Sequence, residues 1–283
     1  MLPGSKDTSG LKFMIKTILE NLDFPEGPAV DSKGNIWLVE LRGGNVVRLG
    51  TDGAVRRFPV AGGKPNGLAV DADDKIWFCD AGNDCISILD PDSCKIEVFC
   101  DSLNGAPLAH PNDLAFDREG NLLFTCPGDS RQKATGYVCA ATKGGVVKKV
   151  IAEKFFPNGL AFAADGNMLV LAETYKKRLW KGIWDPYALT WTRSEPWADI
   201  GGKIGPDGMA FGDDGNLYVA VFGGGAIKVI SPNGLAIADI PLDGDNPSNC
   251  AFNNAGGLLI TETENGRLLS ADIGVKQAGM FRR

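Results

Sequence analysis

A short phrase that opens with proline and carries alanine four residues later occurs six times along this 283-residue chain. Successive copies are separated by 40, 46, 46, 49 and 41 residues, a period at which each repeat forms one supersecondary unit stacked on its neighbours. The position directly after the proline differs from copy to copy, which indicates that function resides there. The copies are PEGPAV from Pro25, PNGLAV from Pro65, PNDLAF from Pro111, PNGLAF from Pro157, PDGMAF from Pro206 and PSNCAF from Pro247.

Each repeat contains four short runs of β-forming residues separated by turn sequences, as in the second repeat at 67–70, 75–80, 85–89 and 96–100. Five repeats have glycine nine residues after the proline and the other has Asp74, which predicts a tight hairpin turn. Six four-stranded antiparallel units around a closed axis predict an all-β fold, the six-bladed β-propeller. An open solenoid is the rival, but neither end of the repeat array supplies the polar capping repeat that a solenoid needs.

The sixth repeat has only three strand-like runs, whereas residues 13–20 form a strand-like segment before the first phrase. We expect this N-terminal segment to be the outer strand of the sixth blade, which ties the chain ends together and removes an exposed edge. Residues 1–10, rich in glycine, serine and lysine, are expected to be a flexible tail, and residues 11–283 a single propeller domain.

The composition excludes several classes of partner. A net charge of −6 with scattered lysine and arginine argues against nucleic acid and anionic membranes, which are bound mainly by clustered cations. No apolar run is long enough to cross a bilayer and the N-terminus lacks the features of a secretory signal, so we expect a cytoplasmic protein. The seven cysteines favour reduced core thiols, with a disulfide inside blade two as the alternative. We expect a monomer or a weak homodimer.

In a propeller the first strand of each blade lines the central channel, so the residues after the six phrase prolines should form a ring at one channel mouth. Oxygen donors with a moderate negative charge suit hard divalent cations. Calcium is our first choice because its coordination is irregular, and Mg²⁺, Mn²⁺ and Zn²⁺ are alternatives. Each asparagine alone could be a turn former, but two carboxylates in a narrow channel need a cation to offset their repulsion. The ring residues are Glu26, Asn66, Asn112, Asn158, Asp207 and Ser248.

The second strand of each hairpin should return to the same mouth and end there at a greater radius. The residues expected at these ends are Glu40, Asp80, Cys126, Glu173, Val221 and Glu262.

Four phrases, Pro-Glu-Gly-Pro at 25, His-Pro-Asn-Asp-Leu at 110, Phe-Pro-Asn-Gly-Leu at 156 and Gly-Pro-Asp-Gly-Met at 205, resemble the senescence marker protein/gluconolactonase family over essentially the whole chain. The resemblance implies a six-bladed propeller that holds one divalent cation at the channel mouth and hydrolyses a small sugar lactone. It also implies that Glu26, Asn158 and Asp207 are direct metal ligands. Asn112 is then a fourth ligand or the holder of a metal-bound water or substrate, while Asn66 and Ser248 are not usual ligands.

Two positions depart from the family pattern, and both bear on which substrate the site accepts. His110 stands where many sugar lactonases of the family have an arginine that contacts substrate hydroxyls, and Cys126 stands where many have aspartate. Both are candidate substrate-binding positions, together with Asn112 and with Arg131 in the 128–136 connection near the mouth. The aromatic stretch 180–197 could be a lid over the substrate or a cover for the outer face of blade four; the second is favoured.

The mechanism that fits these residues is lactone hydrolysis with the metal as Lewis acid and water as nucleophile. Asp207 is our candidate general base, because a ligand carboxylate can hold the attacking water with its second oxygen. His110 is the competitor for this role, and a rim residue that selects substrate by hydrogen bonding is its other interpretation.

Two further functions remain open. One is a phosphotriesterase resembling diisopropylfluorophosphatase, on the same propeller with the same kind of calcium ring. The other is a non-catalytic binding propeller resembling NHL-repeat proteins, although a scaffold has no need of Glu26 and Asp207 in a channel.

Overall fold

The computed structural model describes residues 14–253, 255–279 and 281–283. Its six four-stranded antiparallel sheets form a ring, so the six-bladed propeller is confirmed. The only helix in these residues is a single 3₁₀ turn, Thr174–Lys176. The expected tail at residues 1–10 lies outside the described part of the chain.

Strand β1 (Met14–Leu19) precedes the blades. Blade one contains β2 (Pro25–Val30), β3 (Ile36–Glu40), β4 (Asn45–Leu49) and β5 (Val55–Pro59). Blade two contains β6 (Pro65–Val70), β7 (Ile76–Asp80), β8 (Cys85–Asp90) and β9 (Lys95–Cys100). A short hairpin of β10 (Ser102–Leu103) and β11 (Ala106–Pro107) leads to blade three, with β12 (Leu114–Phe116), β13 (Leu122–Cys126), β14 (Gly136–Ala141) and β15 (Val147–Lys154).

Blade four contains β16 (Pro157–Phe162), β17 (Met168–Glu173), β18 (Arg178–Asp185) and β19 (Thr190–Asp199). Blade five contains β20 (Gly205–Phe211), β21 (Leu217–Phe222), β22 (Ala226–Ile230) and β23 (Ala236–Pro241). Blade six contains β24 (Pro247–Phe252), β25 (Gly257–Glu262) and β26 (Arg267–Asp272), and β1 is its fourth strand.

The phrase forms the innermost strand of every blade, because its small and apolar residues pack against the inner strands of both neighbours. The hairpin turn after it needs a left-handed residue, and Gly34 (φ 84°) and Asp74 (φ 59°) both adopt that conformation. The second strand therefore returns to the mouth: Pro25 pairs with Glu40, and Pro157 pairs with Glu173. The sequence-based expectation for the hairpins is confirmed.

The ring is closed by pairing of the first and last strands. Met14 lies opposite Asp272 and Leu19 lies opposite Leu268, so β1 is the outer strand of blade six as expected. Ile18 and Leu19 pack against the cluster that blades six and one share.

Apolar clusters fill the interfaces between neighbouring blades, and the C-terminal segment closes the channel at the end opposite the phrase prolines. The Ala278 N–H donates to the Phe211 carbonyl, and the Phe281 ring meets Phe162 edge to face at 6.3 Å. All seven cysteines are free thiols, so no disulfide forms in blade two. Among the described residues no helix combines the length and apolar character needed to span a membrane.

Candidate metal centre and substrate mouth

The six residues after the phrase prolines, here called the axial ring, lie where strand pairing is irregular. The register shifts between Glu26 and Ala29 in blade one, and comparable shifts occur in blades two, four, five and six. In blade three the inner strand starts only at Leu114, after the phrase has begun. Such bulges release side chains from the regular alternation of a strand and turn them toward a common point.

Most of the axial ring is buried. Glu26 and Asn158 are each 5% exposed and Asp207 is 8% exposed, while Asn112 is partly exposed. The Asn158 side chain lies beside the Asp207 carboxyl group, and the Ser248 side chain lies beside that of Glu26. The structure thus brings together Glu26, Asn158, Asp207 and Ser248 from four different blades.

Two residues that sequence analysis missed lie in the same group. Asp113 and Asn249 follow the axial-ring positions of blades three and six, where the other four copies have glycine. The Asn249 side chain lies beside both the Glu26 and the Asp113 carboxyl groups. In the sequence, these two residues could have been recognised because they replace glycine at the third position of the phrase. The crowded axis has room for only a few side chains, so a side chain at this position marks a residue that reaches the axis.

The glycines of the other copies make room for these two side chains. A Cβ at Gly67 would lie 2.3 Å from the Asp113 Oδ1, and a Cβ at Gly208 would lie 2.0 Å from the Asn249 side chain. These distances are far shorter than any van der Waals contact. Below the ring the channel holds a cavity of about 160 Å³, bordered by Asp113 and Asn249 and by inner strands of the blades.

Three buried carboxyl groups lie near one another at the axial ring, and no basic side chain of the described residues pairs with them. Burial and the charge of Asp113 raise the pKa of Glu26 to about 8, and burial raises the pKa of Asp113 to about 7. Burial, followed by repulsion from Glu26 and Asp113, raises the pKa of Asp207 well above its ordinary value. In the part of the chain that is described, no lysine, arginine or histidine forms an ion pair with any of the three.

The carboxylates at the ends of the second strands differ in this respect. Glu40 accepts two hydrogen bonds from Arg57, at 2.9 and 3.0 Å, and Glu173 accepts one from Arg178 at 2.8 Å. Burial alone would raise the pKa of Glu173, but hydrogen bonds from the Phe155 N–H, Trp180 and Arg178 outweigh it and lower the pKa. These outer carboxylates stabilise the turns at the mouth, whereas the axial carboxyls have only amides and each other.

This donor set fits a hard divalent cation. Glu26 and Asp207 offer carboxylate oxygens, Asn158 offers an amide oxygen, and Asp113 adds negative charge nearby, which is the chemistry that Ca²⁺ selects. Groups of three or more His, Cys, Asp and Glu side chains suited to a metal ion are not found in residues 14–253, 255–279 and 281–283. The axial ring is a different type of set, in which amides complete two carboxylates.

Residues 83–264, well over half of the chain, match the model of the SMP-30/gluconolactonase/LRE-like region. The chain belongs to this family. Its relatives include a gluconolactonase of Zymomonas mobilis, 28% identical over 277 residues, which cover 87% of this chain and 77% of the relative. A diisopropyl-fluorophosphatase of Loligo vulgaris is 30% identical over 279 residues, which cover 88% of each protein.

Solved structures with the same fold superpose closely on this chain. A gluconolactonase of Xanthomonas campestris has a TM-score of 0.82 at 25% identity, with 92% of this chain and 89% of that chain covered. The calcium-binding protein regucalcin of Agrobacterium tumefaciens has a TM-score of 0.84 at 22% identity, covering 96% of this chain and 98% of that chain. At that identity the second likeness shows the fold alone.

The residues before the phrase prolines line the mouth around the axial ring of this SMP-30/gluconolactonase-like chain. Phe24, His110 and Phe156 all adopt left-handed φ angles, of 61°, 50° and 57°, although each precedes proline. The Phe24 ring stacks on Phe222 of blade five at 6.3 Å, and because blade six lies between blades one and five, this pair spans its inner end. The Phe156 ring meets Tyr175 edge to face at 5.3 Å.

The other predicted substrate-binding residues lie at different depths. The Arg131 guanidinium lies over the rings of Phe156 and Tyr175, at 5.7 and 5.8 Å from their centroids, and so belongs to the mouth. The Asn112 backbone is fixed by its carbonyl, which accepts a 2.7 Å hydrogen bond from the Gly67 N–H. The Cys126 side chain is fully buried, with its thiol beside Cys139.

Burial of Cys126 limits what it can do. Its thiol lies in the cluster between blades two and three, and burial raises its pKa well above the ordinary value. Direct contact between Cys126 and a substrate therefore stays a prediction. In this geometry Cys126 can influence the mouth through its packing behind Ala109 and Tyr137. The aromatic stretch 180–197 lies in β18 and β19, the two outer strands of blade four, rather than over the mouth.

Proposed function

We propose that this protein is a divalent-metal-dependent hydrolase that opens the ring of a small, sugar-derived lactone. The observation that carries the proposal is the group of three buried carboxyls, Glu26, Asp113 and Asp207, which no lysine, arginine or histidine of the described residues neutralises. Family membership and the gluconolactonase relatives support a lactone as the substrate. The metal dependence rests on the chemistry of the donor set.

Glu26, Asn158 and Asp207 would hold the cation, with Asn112 as a fourth ligand or as the holder of water or substrate. Ca²⁺ is the first choice and Mg²⁺, Mn²⁺ and Zn²⁺ are alternatives, because oxygen donors of unequal type from different blades suit an irregular coordination shell. The calcium-binding regucalcin shares the fold and is consistent with this choice. A bound cation would supply Lewis-acid polarisation of the lactone carbonyl.

The protein groups have separate tasks in this proposal. The Asp207 carboxylate would orient the attacking water and accept its proton, because a carboxylate has two oxygens and could serve a cation with one and water with the other. Phe24, Phe156 and Arg131 border the space through which a lactone approaches. His110 borders the same space and competes with Asp207 for the role of base.

The test measures ring opening of five- and six-membered aldonolactones by the purified protein. We expect turnover that chelator abolishes, that Ca²⁺ restores and that Asp207→Ala reduces by at least about a hundredfold, a typical loss for a general acid–base group. Glu97→Gln, an exposed change on an outer strand, is the matched control and should leave turnover unchanged. Activity that persists after complete metal removal would overturn the metal-dependent mechanism.

The phosphotriesterase is the second candidate, favoured by the 30% identity to a diisopropyl-fluorophosphatase. Turnover of an organophosphate measured beside that of lactones separates the two, and we expect the lactones to be the better substrates. Absence of stoichiometric metal, together with no turnover of either class, would instead favour a binding propeller. We further propose that the protein acts in the cytoplasm as a monomer or weak homodimer, without nucleic-acid or membrane partners.

A further inference from the structure

The sole histidine of the chain is held by a single carboxylate from the neighbouring blade. The Asp84 Oδ1 accepts a hydrogen bond from the His110 backbone N–H at 2.9 Å, and the same oxygen lies 2.8 Å from the imidazole Nδ1. The Ala81 carbonyl oxygen lies 3.2 Å from the same ring nitrogen. The Nδ1 edge of the imidazole is therefore held against the turn between β7 and β8.

These contacts determine which ring nitrogen carries the hydrogen. A carboxylate and a peptide carbonyl can only accept hydrogen bonds, so the Nδ1 that faces both must be the donor. In a neutral imidazole the other nitrogen, Nε2, is then an acceptor. Among the described residues Nε2 has no hydrogen-bond partner, and the His110 side chain is 63% exposed.

The backbone at both residues is unusual. His110 has a φ of 50° and Asp84 a φ of 52°, left-handed angles that non-glycine residues adopt rarely. His110 also precedes Pro111, which restricts its backbone further. Strained positions persist where the surroundings over-determine them. The backbone hydrogen bond to Asp84 and the 2.8 Å contact between its carboxylate and Nδ1 are such determinants.

Asp84 and His110 also lie at the channel mouth, where a substrate would approach. Asp84 follows the end of β7 at the mouth, and His110 stands two residues before Asn112 in the axial ring. The contact therefore joins blades two and three at the rim. It presents Nε2 on the side of the ring that Asp84 and Ala81 do not cover.

We propose that Asp84 is a positioning residue that fixes His110 as the Nδ1–H tautomer, so that Nε2 accepts a hydrogen bond from a substrate hydroxyl at the mouth. The inference rests on the proposed function and deepens it, since it assigns a specificity role to the pair. It also favours lactones that carry a free hydroxyl over analogues in which that hydroxyl is methylated.

The first experiment needs no substrate. Because the chain has one histidine, ¹⁵N–¹H correlation spectra of the ¹⁵N-labelled protein contain a single imidazole, recorded at pH about 9, where histidine side chains in general are neutral. We expect protonated Nδ1 and unprotonated Nε2 in the wild type and in Asp84→Asn. The amide oxygen of asparagine can still accept from the His110 backbone N–H and face Nδ1, and its side chain tolerates a left-handed φ. In Asp84→Ala we expect a shift toward Nε2–H. An Nε2–H tautomer in the wild type would overturn the proposal.

The second experiment is a double-mutant cycle in lactone hydrolysis. Asp84→Ala should raise KM about tenfold with a smaller change in kcat, and should add nothing in a His110→Ala background. Asp92→Ala, an exposed aspartate in the turn between β8 and β9, is the control and should leave both the spectrum and KM unchanged. Equal effects of Asp84→Ala with and without His110 would show a purely structural role and overturn the inference, while lactone turnover itself would leave the proposed function intact. If no lactone is turned over, the proposed function fails and the spectra still test the tautomer.

Discussion

At the scale of single residues, the chain treats its buried carboxyls in two ways. Glu40 and Glu173 are neutralised by arginine, and hydrogen bonds lower their pKa. Glu26, Asp113 and Asp207 repel one another in a buried space, and their pKa values rise. Carboxyl groups with strongly shifted pKa values cluster at functional sites, and binding of a cation is the function that this donor set fits.

The raised pKa values predict how the stability of the metal-free protein depends on pH. Between pH 6 and 9 the unfolded carboxyls are ionised, whereas folded Glu26 and Asp113, with pKa values of about 8 and 7, still hold protons at the acidic end. The folded state binds more protons, so its free energy of unfolding falls as pH rises. We expect a loss of a few kcal/mol, since each unit of pKa shift is worth about 1.4 kcal/mol.

Urea unfolding in chelator at several pH values between 6 and 9 checks this expectation. Asp113→Asn removes one of the three charges and should make the slope shallower, and saturating Ca²⁺ should oppose the alkaline loss. A free energy of unfolding that is flat or rises over this range in the metal-free protein would show that the three carboxyls do not repel.

Sequence reasoning located the axial carboxylates but not all of their partners. Glu26, Asn158 and Asp207 could be predicted because the repeat places them in register. Asp113 and Asn249 were visible only as departures from glycine, and their meaning depends on how much space the axis leaves. Asp84 could not be found, because the turn that packs against His110 is decided by contact between blades and not by the repeat.

At the scale of elements, the phrase combines a strand with an interruption. Its first residues leave the regular ladder, and the third position is glycine wherever a neighbouring residue occupies the axis. Strand number, hairpin turns and closure were all predictable, because they follow from local patterns that six copies repeat. The register shifts were not, since the phrase reads as an ordinary short strand.

The glycine at the third position can be tested in blade five. A Cβ in Gly208→Ala would overlap the Asn249 side chain at 2.0 Å and force it away from Glu26 and Asp113. We expect a destabilisation of about 1–3 kcal/mol, typical of overpacking, and weaker stabilisation by Ca²⁺ in thermal unfolding. Gly144→Ala, where the nearest atom would lie 3.7 Å from the new Cβ, is the matched control. It should keep both the free energy of unfolding and the stabilisation by Ca²⁺ of the wild type. Equal behaviour of the two variants would mean that Asn249 does not support the site.

At the scale of the whole molecule, six blades of one chain converge on a site that no single blade could build. Glu26 comes from blade one, Asn158 from blade four and Asp207 from blade five, so their separation is set by ring closure. The hydrogen bond from the Ser248 Oγ to the Pro25 carbonyl, at 2.9 Å, joins blades six and one at the mouth. Anything that loosens the seam between these blades should therefore affect the proposed cation site as well as stability.

Strand β1 is the element that makes this seam, and its removal is a test of the whole ring. Deleting residues 1–19 exposes the edge of β26 and removes Ile18 and Leu19 from the shared cluster. We expect Tm to fall on the order of 10 °C, because several kcal/mol are lost and each shifts Tm by about 2–4 °C in a chain of this size. Deletion of residues 1–12, which keeps all of β1, is the matched control. If the longer deletion lowers Tm but leaves the stabilisation by Ca²⁺ unchanged, the site does not depend on closure; we expect both to fall together, since Glu26 is carried by the blade that β1 fastens to its neighbour.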